Sequence, residues 1–292
     1  MFEGSLVALV TPFRNGKVDE KTLRELVEFH VSNGTNGIVP CGTTGESATL
    51  SHKEHGRVVE VVVRQAKGRI LVLAGAGSNS TEETLALCRH ARDVKADGAL
   101  AIVPYYNKPT PAGMFEHFST VASRVSLPIV IYNIPSRTGV NMPPATLIRL
   151  AKRHRNIVGV KESSGNMDQI TEIILGVPPG FSVLSGDDSL TLPILSLGGR
   201  GVISVLANVA PRDVAQMCRA WQEGNITGAR RIHYRMYPLT KALFVETNPG
   251  PVKAALGMMG ICREELRLPM MKISSENRQK LRAVLSEFGL VR

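Results

Sequence analysis

Cysteine is scarce: there are four in 292 residues, Cys41, Cys88, Cys218 and Cys262, far apart and with no C-x-x-C pair. That excludes a disulfide framework and a zinc site of paired cysteines, and reads as buried thiols in a reducing compartment. Long apolar runs are missing as well; none nears the roughly 18 residues a membrane-spanning helix needs. The stretch from Met1 to Pro12 has neither a basic start nor an extended apolar core, so it does not read as a signal peptide. Acidic residues are the minority, 25 against 35 Lys and Arg, for a formal charge of +10. The basic residues are nevertheless scattered, with no zinc-finger or RRM-type signature beside them. Their densest group, Arg149, Lys152, Arg153 and Arg155, falls at the end of a helical pattern, where cations complement the helix dipole. The charge is read as a steering field for small anionic ligands. The expectation is a cytoplasmic protein that binds neither nucleic acid nor membrane.

What is present is a rhythm. Hydrophobic residues make up 43% and charged residues 21%, enough for a large core and incompatible with disorder. Short β-branched runs recur at 6–10, 37–40, 70–74, 99–103, 129–132, 157–161, 182–184 and 202–205. Helical patterns fill the intervals, at 22–31, 53–65, 82–96, 113–125, 145–154 and 168–175. Ser51-His-Lys-Glu54 and Ser80-Thr-Glu-Glu83 fit the capping box that opens a helix. The strand runs are continuous rather than alternating, as parallel strands covered on both faces are. Residues 11–16 lack a dinucleotide glycine fingerprint. Eight βα units then predict an α/β protein with a (β/α)8 TIM barrel over residues 1–225. Helical patterns alone follow, at 229–242, 252–259 and 276–288, predicting a C-terminal helical domain over 226–292.

In such a barrel, chemistry sits at the C-terminal ends of the strands, and the unusual polar residues collect there. The successive strand ends run into Gly42-Thr-Thr-Gly-Glu-Ser47, Gly75-Ala-Gly77, Tyr105-Tyr-Asn-Lys-Pro109, Tyr132-Asn-Ile-Pro-Ser-Arg-Thr-Gly139, Lys161-Glu-Ser-Ser-Gly165 and Gly186-Asp-Asp188. Lys161 is the sharpest of them. Period two places it with Gly159 on the face opposite Val158 and Val160, pointing into the barrel. Desolvation there disfavours the ammonium and yields a usable amine, the route to a Schiff-base nucleophile. Alone, it reads better as a lysine snorkelling to water; the polar groups around it reverse that and favour the nucleophile. Tyr132 faces inward with Val130, as a proton carrier or as a barrel-filling aromatic. Gly42-Thr-Thr-Gly reads as a carboxylate-binding nest or a plain turn. Arg137 reads as a fork for a second carboxylate or a solvated charge. His52 and His55 form H-x-x-H rather than a zincin motif and read as neutral surface imidazoles. Asp187 and Asp188 have no evident third metal ligand.

Taken together, these motifs resemble the dihydrodipicolinate synthase family of pyruvate-dependent lyases, whose superfamily includes N-acetylneuraminate lyase. The resemblance runs from about Leu6 to Leu290. It is carried by Gly42–Ala48, Pro104–Pro109, Tyr132–Gly139, Lys161–Asn166, Ser185–Asp188, Gly201–Ser204 and Phe244–Pro249. It implies that Lys161 forms an imine with pyruvate, with Thr44, Tyr132 and Tyr106 as a proton relay, Tyr106 reaching into a neighbouring subunit's site. The Thr43 and Thr44 amides would hold pyruvate's carboxylate, Gly186 and Ile203 would line the pocket, and Arg137 would receive the carboxylate of L-aspartate 4-semialdehyde. The product would be 4-hydroxy-tetrahydrodipicolinate, in diaminopimelate and lysine biosynthesis, made without metal or organic cofactor by a homotetramer, a dimer of dimers. Ser47, Ala48, His52, His55, Asn79, Glu83 and Tyr105 match a feedback site for L-lysine. Gly250 departs from the family pattern, in which a larger apolar residue is common. The alternative is a pyruvate-releasing sugar-acid aldolase on the same imine. Arg137 speaks against it, because sugar-acid relatives usually lack that arginine.

Overall fold

The computed structural model describes residues 2–292. All eight expected barrel strands are there, each within two residues of its sequence pattern: β1 (Gly4–Ala8), β4 (Gly37–Val39), β5 (Leu71–Gly75), β6 (Gly98–Ile102), β7 (Ile129–Asn133), β8 (Ile157–Glu162), β9 (Ser182–Ser185) and β10 (Gly201–Ser204). They form a closed barrel in the order β1-β10-β9-β8-β7-β6-β5-β4, parallel throughout the pairs described. The remaining strands, β2 (Phe13–Arg14) and β3 (Lys17–Val18), make a small antiparallel hairpin after β1 that the periodicity does not predict. Its turn is Asn15-Gly16, both left-handed (φ 53° and 76°), the conformation that an Asn-Gly hairpin turn requires.

The helices are α1 (Glu20–Ser32), α2 (His52–Ala66), α3 (Thr81–Asp93), α4 (Pro111–Arg124), α5 (Pro135–Thr138), α6 (Pro144–Arg153), α7 (Met167–Gly176), α8 (Thr191–Ser196) and α9 (Pro211–Gln222). After them come α10 (Ile226–Ala242), α11 (Gly250–Met258) and α12 (Ser275–Phe288), the C-terminal helices that the sequence predicts. Ser51 opens α2 with a full capping box, its hydroxyl accepting from the Glu54 amide and the Glu54 carboxylate from the Ser51 amide. At α3 only half of the predicted box forms. The Ser80 hydroxyl accepts from the Glu83 amide, but the Glu83 carboxylate takes the Ser78 hydroxyl. α3 also stops at Asp93, three residues before the pattern ends, with Lys95 left-handed at φ 66°. Gly250 opens α11, where an added Cβ would lie 3.2 Å from Ile273 Cγ2. Among the described residues no helix is long and apolar enough to cross a membrane.

The chain divides into two compact units. One takes in Leu71–Ile203 with the N-terminal residues up to Glu3; in it α3 packs on α4, α4 on α6 and α6 on α7. The other joins Gly4–Ile70 to Ser204–Arg292, with α1 on α2, α9 on α10, and both α10 and α11 on α12. Asn208 binds its two segments together, accepting from the Val10 amide at 3.1 Å and donating to the Ala8 carbonyl at 2.8 Å.

Two buried histidines set an acid limit. His30 on α1 lies 3.1 Å by Nδ1 from the Thr35 hydroxyl, and burial lowers its pKa to about 3. His117 on α4 lies 2.9 Å by Nδ1 from the Thr81 hydroxyl, and burial lowers its pKa to about 4. Unfolded, both titrate near 6.5, so the unfolded chain binds the extra protons. Stability is whole above pH 6.5 and is lost as pH falls toward 4, by about 1.4 kcal/mol per pH unit for each group. Melting temperature is therefore expected to drop on the order of 10 °C between pH 6.5 and 4.5. The double variant His30→Gln, His117→Gln should flatten that slope. A wild-type curve that is flat over this window would contradict the assignment.

Candidate active site

The barrel's register builds the centre of the site. On β7 and β8 the pairs are Val130↔Gly159, Ile131↔Val160, Tyr132↔Lys161 and Asn133↔Glu162, after an irregularity at Ile129/Val130 that leaves Val158 unpaired in the register. Tyr132 and Lys161 are thus direct neighbours on one face, as their parity predicts. Both are 6% exposed, and Lys161 Nζ lies 4.2 Å from the centroid of the Tyr132 ring. The ring turns its electron-rich face to that nitrogen. Beneath the lysine, a Cβ on Gly159 would come within 2.6 Å of the Ser182 carbonyl, so the strands approach there only because Gly159 has no side chain.

On the other face of the same strands a polar clamp holds this register. The Glu162 carboxylate accepts from Asn133 Nδ2 at 3.1 and 3.2 Å, from the Ser164 amide at 2.7 Å and from Gln169 Nε2 at 3.3 Å. Burial raises its pKa, with these donors opposing the shift. Asn133 in turn accepts from the Met142 amide at 3.0 Å, fixing the segment that follows α5.

Gly186 follows β9, its amide donating to the Glu162 carbonyl at 2.8 Å. A Cβ here would lie 3.1 Å from Lys161 Cε and would overlap the Ser163 hydroxyl. Gly186 therefore borders the Lys161 side chain. Ser163 and Asp187 are brought to Lys161 without having been singled out for it. The Ser163 hydroxyl is buried and has no hydrogen-bond partner among the described residues. Burial raises the Asp187 pKa, while the nearby Lys161 charge draws it back. Ile203 on β10 is fully buried.

In the second unit, the turn after β4 carries Thr43 and Thr44. It is closed by Gly45 and Ser47 amides donating to the Gly42 carbonyl at 3.1 and 3.4 Å, and by the Glu46 amide donating to the Thr43 carbonyl at 3.1 Å. A Cβ on Gly45 would stand 3.0 Å from both the Leu9 carbonyl oxygen and the Cys41 amide, so only glycine lets the turn fold this tightly. Thr44 is 2% exposed, and its hydroxyl accepts from Asn248 Nδ2 at 3.0 Å. Asn248 was visible in the sequence only as part of the Phe244–Pro249 stretch.

The sequence profile of the dihydrodipicolinate synthetase family matches residues 1–288. The chain belongs to the dihydrodipicolinate synthetase family. A 4-hydroxy-tetrahydrodipicolinate synthase from Syntrophus aciditrophicus is 54% identical over 291 residues, covering 100% of both chains. The crystal structure of dihydrodipicolinate synthase from Aquifex aeolicus, 55% identical, superposes with a TM-score of 0.98 over 99% of each chain. A synthase from Cyanidioschyzon merolae, solved with lysine bound, is 43% identical with a TM-score of 0.97 over 99% of each chain.

Several of the family's other expected positions lie at the surface of this chain. Arg137 is exposed on the single-turn helix α5. Tyr106 is 88% exposed and left-handed at φ 69°, with Tyr105 beside it at 39%. Of the positions matched to lysine binding, Ser47 and Ala48 lie in a 3₁₀ turn after Glu46, and His52 is exposed at the start of α2. His55 corrects the reading of two surface imidazoles: it is buried, because it starts the inward stripe that Val58, Val59 and Val62 continue. Asn79 accepts at its carbonyl from Asn107 Nδ2 at 2.9 Å. No cluster of three or more His, Cys, Asp or Glu able to hold a metal occurs among the described residues, Asp187 and Asp188 included.

Proposed function

We propose that this chain condenses pyruvate with L-aspartate 4-semialdehyde to 4-hydroxy-tetrahydrodipicolinate, in the route to diaminopimelate and lysine, through an imine on Lys161. The observation that carries the reading is the buried Lys161 amine, 4.2 Å from the Tyr132 ring and beside Gly186 at the C-terminal ends of the barrel strands. A desolvated lysine is a carbonyl nucleophile. Its amine adds to the keto carbon of pyruvate and water leaves, giving the imine. The cationic imine acidifies the methyl protons; one is lost, and the enamine carbon attacks the aldehyde carbon of the second substrate. The amine of the semialdehyde then adds to the imine carbon, the Lys161 amine departs, and a six-membered ring closes.

Tyr132, Thr44 and Tyr106 carry the protons, and the Thr43 and Thr44 amides hold pyruvate's carboxylate. Gly186 and Ile203 line the pocket, and Arg137 takes the carboxylate of the semialdehyde. The 88% exposure of Tyr106 suits a ring that enters a neighbouring subunit's site in a homotetramer of tight dimers. L-lysine is the feedback ligand in this reading, at Ser47, Ala48, His52, His55, Asn79, Glu83 and Tyr105, supported by the lysine-bound relative. The enzyme works in the cytoplasm.

The test is borohydride trapping with pyruvate and peptide mass mapping, with parallel samples given the semialdehyde or millimolar L-lysine first. The expected result is an adduct on Lys161 that the semialdehyde depletes and lysine slows. An adduct that the semialdehyde leaves intact would move the substrate to a sugar acid. No adduct from folded protein would end the imine reading, and indifference to lysine would remove the feedback site.

A further inference from the structure

Lys253, on α11, is fully buried and ranks among the largest wholly enclosed side chains of the protein. An ammonium in that position persists only if it is paired and hydrogen-bonded. Its partner is the carboxylate of Glu46, itself 5% exposed, and Lys253 Nζ also donates to the Glu265 carbonyl at 2.8 Å and lies 4.2 Å from the Phe13 ring centroid. The second oxygen of Glu46 accepts the Arg267 amide at 3.0 Å. Arg267 extends the grip, with its guanidinium donating to the Thr49 and Gly16 carbonyls and to Glu54.

Glu46 is the last residue of the turn that carries Thr43 and Thr44, and it is left-handed at φ 53° and ψ 38°. Glycine would adopt that conformation at less cost, so the side chain has its own use there. The same C-terminal stretch also holds the turn at Thr44, through Asn248. The turn is thus fastened from outside at two of its residues, and one fastening is a buried charge pair that takes no part in the chemistry described above.

We infer that Glu46 and Lys253 are positioning residues for the substrate carboxylate: their buried pair holds the Thr43–Thr44 turn in the shape that receives it. The inference rests on the reading that this turn binds pyruvate's carboxylate while Lys161 forms the imine. It makes the C-terminal helices a working part of the substrate site.

The test compares Lys253→Met, Glu46→Gln and Glu46→Asp with the wild type in the full chain. Lys161 adducts trapped by borohydride are measured against the concentration of pyruvate and, separately, of acetone, which has the carbonyl but no carboxylate. The expected result is a split. Half-saturating pyruvate rises tenfold or more, less for Glu46→Asp, which keeps the charge, while acetone trapping stays within twofold of wild type. If Lys253→Met or Glu46→Gln fails to fold by circular dichroism, Glu46→Asp and the uncharged double variant Glu46→Gln, Lys253→Met leave no buried charge without its partner and are expected to show the same split. Equal losses with pyruvate and acetone would reduce the pair to general support and overturn the inference, as would an unchanged pyruvate dependence. Failure of the wild type to form a Lys161 adduct would instead remove the reading beneath it.

Discussion

Replacing Lys161 with alanine is expected to abolish the pyruvate adduct and to lower kcat/KM by on the order of 10⁴-fold or more, the scale on which removing a covalent nucleophile acts. The loss should not come from misfolding. Lys161 is 6% exposed and is held against the Tyr132 ring, so its removal also relieves the cost of keeping a charge out of water. One compensating change follows: Asp187, whose raised pKa the Lys161 charge now draws down, should protonate more readily in the variant. Melting temperature at pH 7 should therefore stay within a few degrees of wild type. Lys161→Arg is the sharper control, since it keeps a cation in place but guanidinium does not deprotonate to a nucleophile; it should be as inactive as the alanine variant. Steady-state assay, trapping and thermal melts decide it together. Activity within tenfold of wild type would move the nucleophile away from Lys161.

How much of this was legible in the sequence depended on the range of the interaction. Strands and helices follow from local periodicity, and so did the inward face of Lys161 and Tyr132, because a period of two propagates along a strand whatever lies elsewhere. The irregularity at Ile129/Val130 leaves that parity intact, since it shifts the pairing before both residues are reached. The Asn15-Gly16 hairpin was also local, but its flanking strands of two residues each carry no periodicity to read. His55 shows the opposite limit. Its position in the first turn of α2 suggested solvent, and which way that face points is decided by the packing of the helix, not by the motif.

The rest was hidden because it joins residues that sequence spacing does not relate. Asp187 comes from the end of β9, and only the order of strands round the barrel brings it to Lys161 on β8. Glu46 and Lys253 are 207 residues apart, and Thr44 and Asn248 are 204 apart. Each of these polar residues, read alone, has an ordinary role as a turn former or a surface charge. Burial is what changes their meaning, and burial of a polar group is the property that composition predicts least.

Tyr132→Phe should separate the two contributions of that residue. The ring stays, so the contact with Lys161 Nζ at 4.2 Å is largely kept, and pyruvate should still be trapped on Lys161 with a half-saturating concentration within about threefold of wild type. The hydroxyl goes, and with it the proposed proton carrier, so kcat should fall by about 10²–10⁴-fold, the usual contribution of a positioned general acid–base group. The decisive measurement is exchange of pyruvate's methyl protons with deuterium from solvent, which needs imine and proton transfer but not the second substrate. Tyr132→Phe should slow that exchange in proportion to turnover while leaving trapping intact. Tyr132→Ala, which removes ring and hydroxyl together, should weaken both. Exchange at the wild-type rate in Tyr132→Phe would show that the proton leaves by another group. Thr44 would then be the one to replace, since its hydroxyl accepts from Asn248 and so keeps its own proton free to donate.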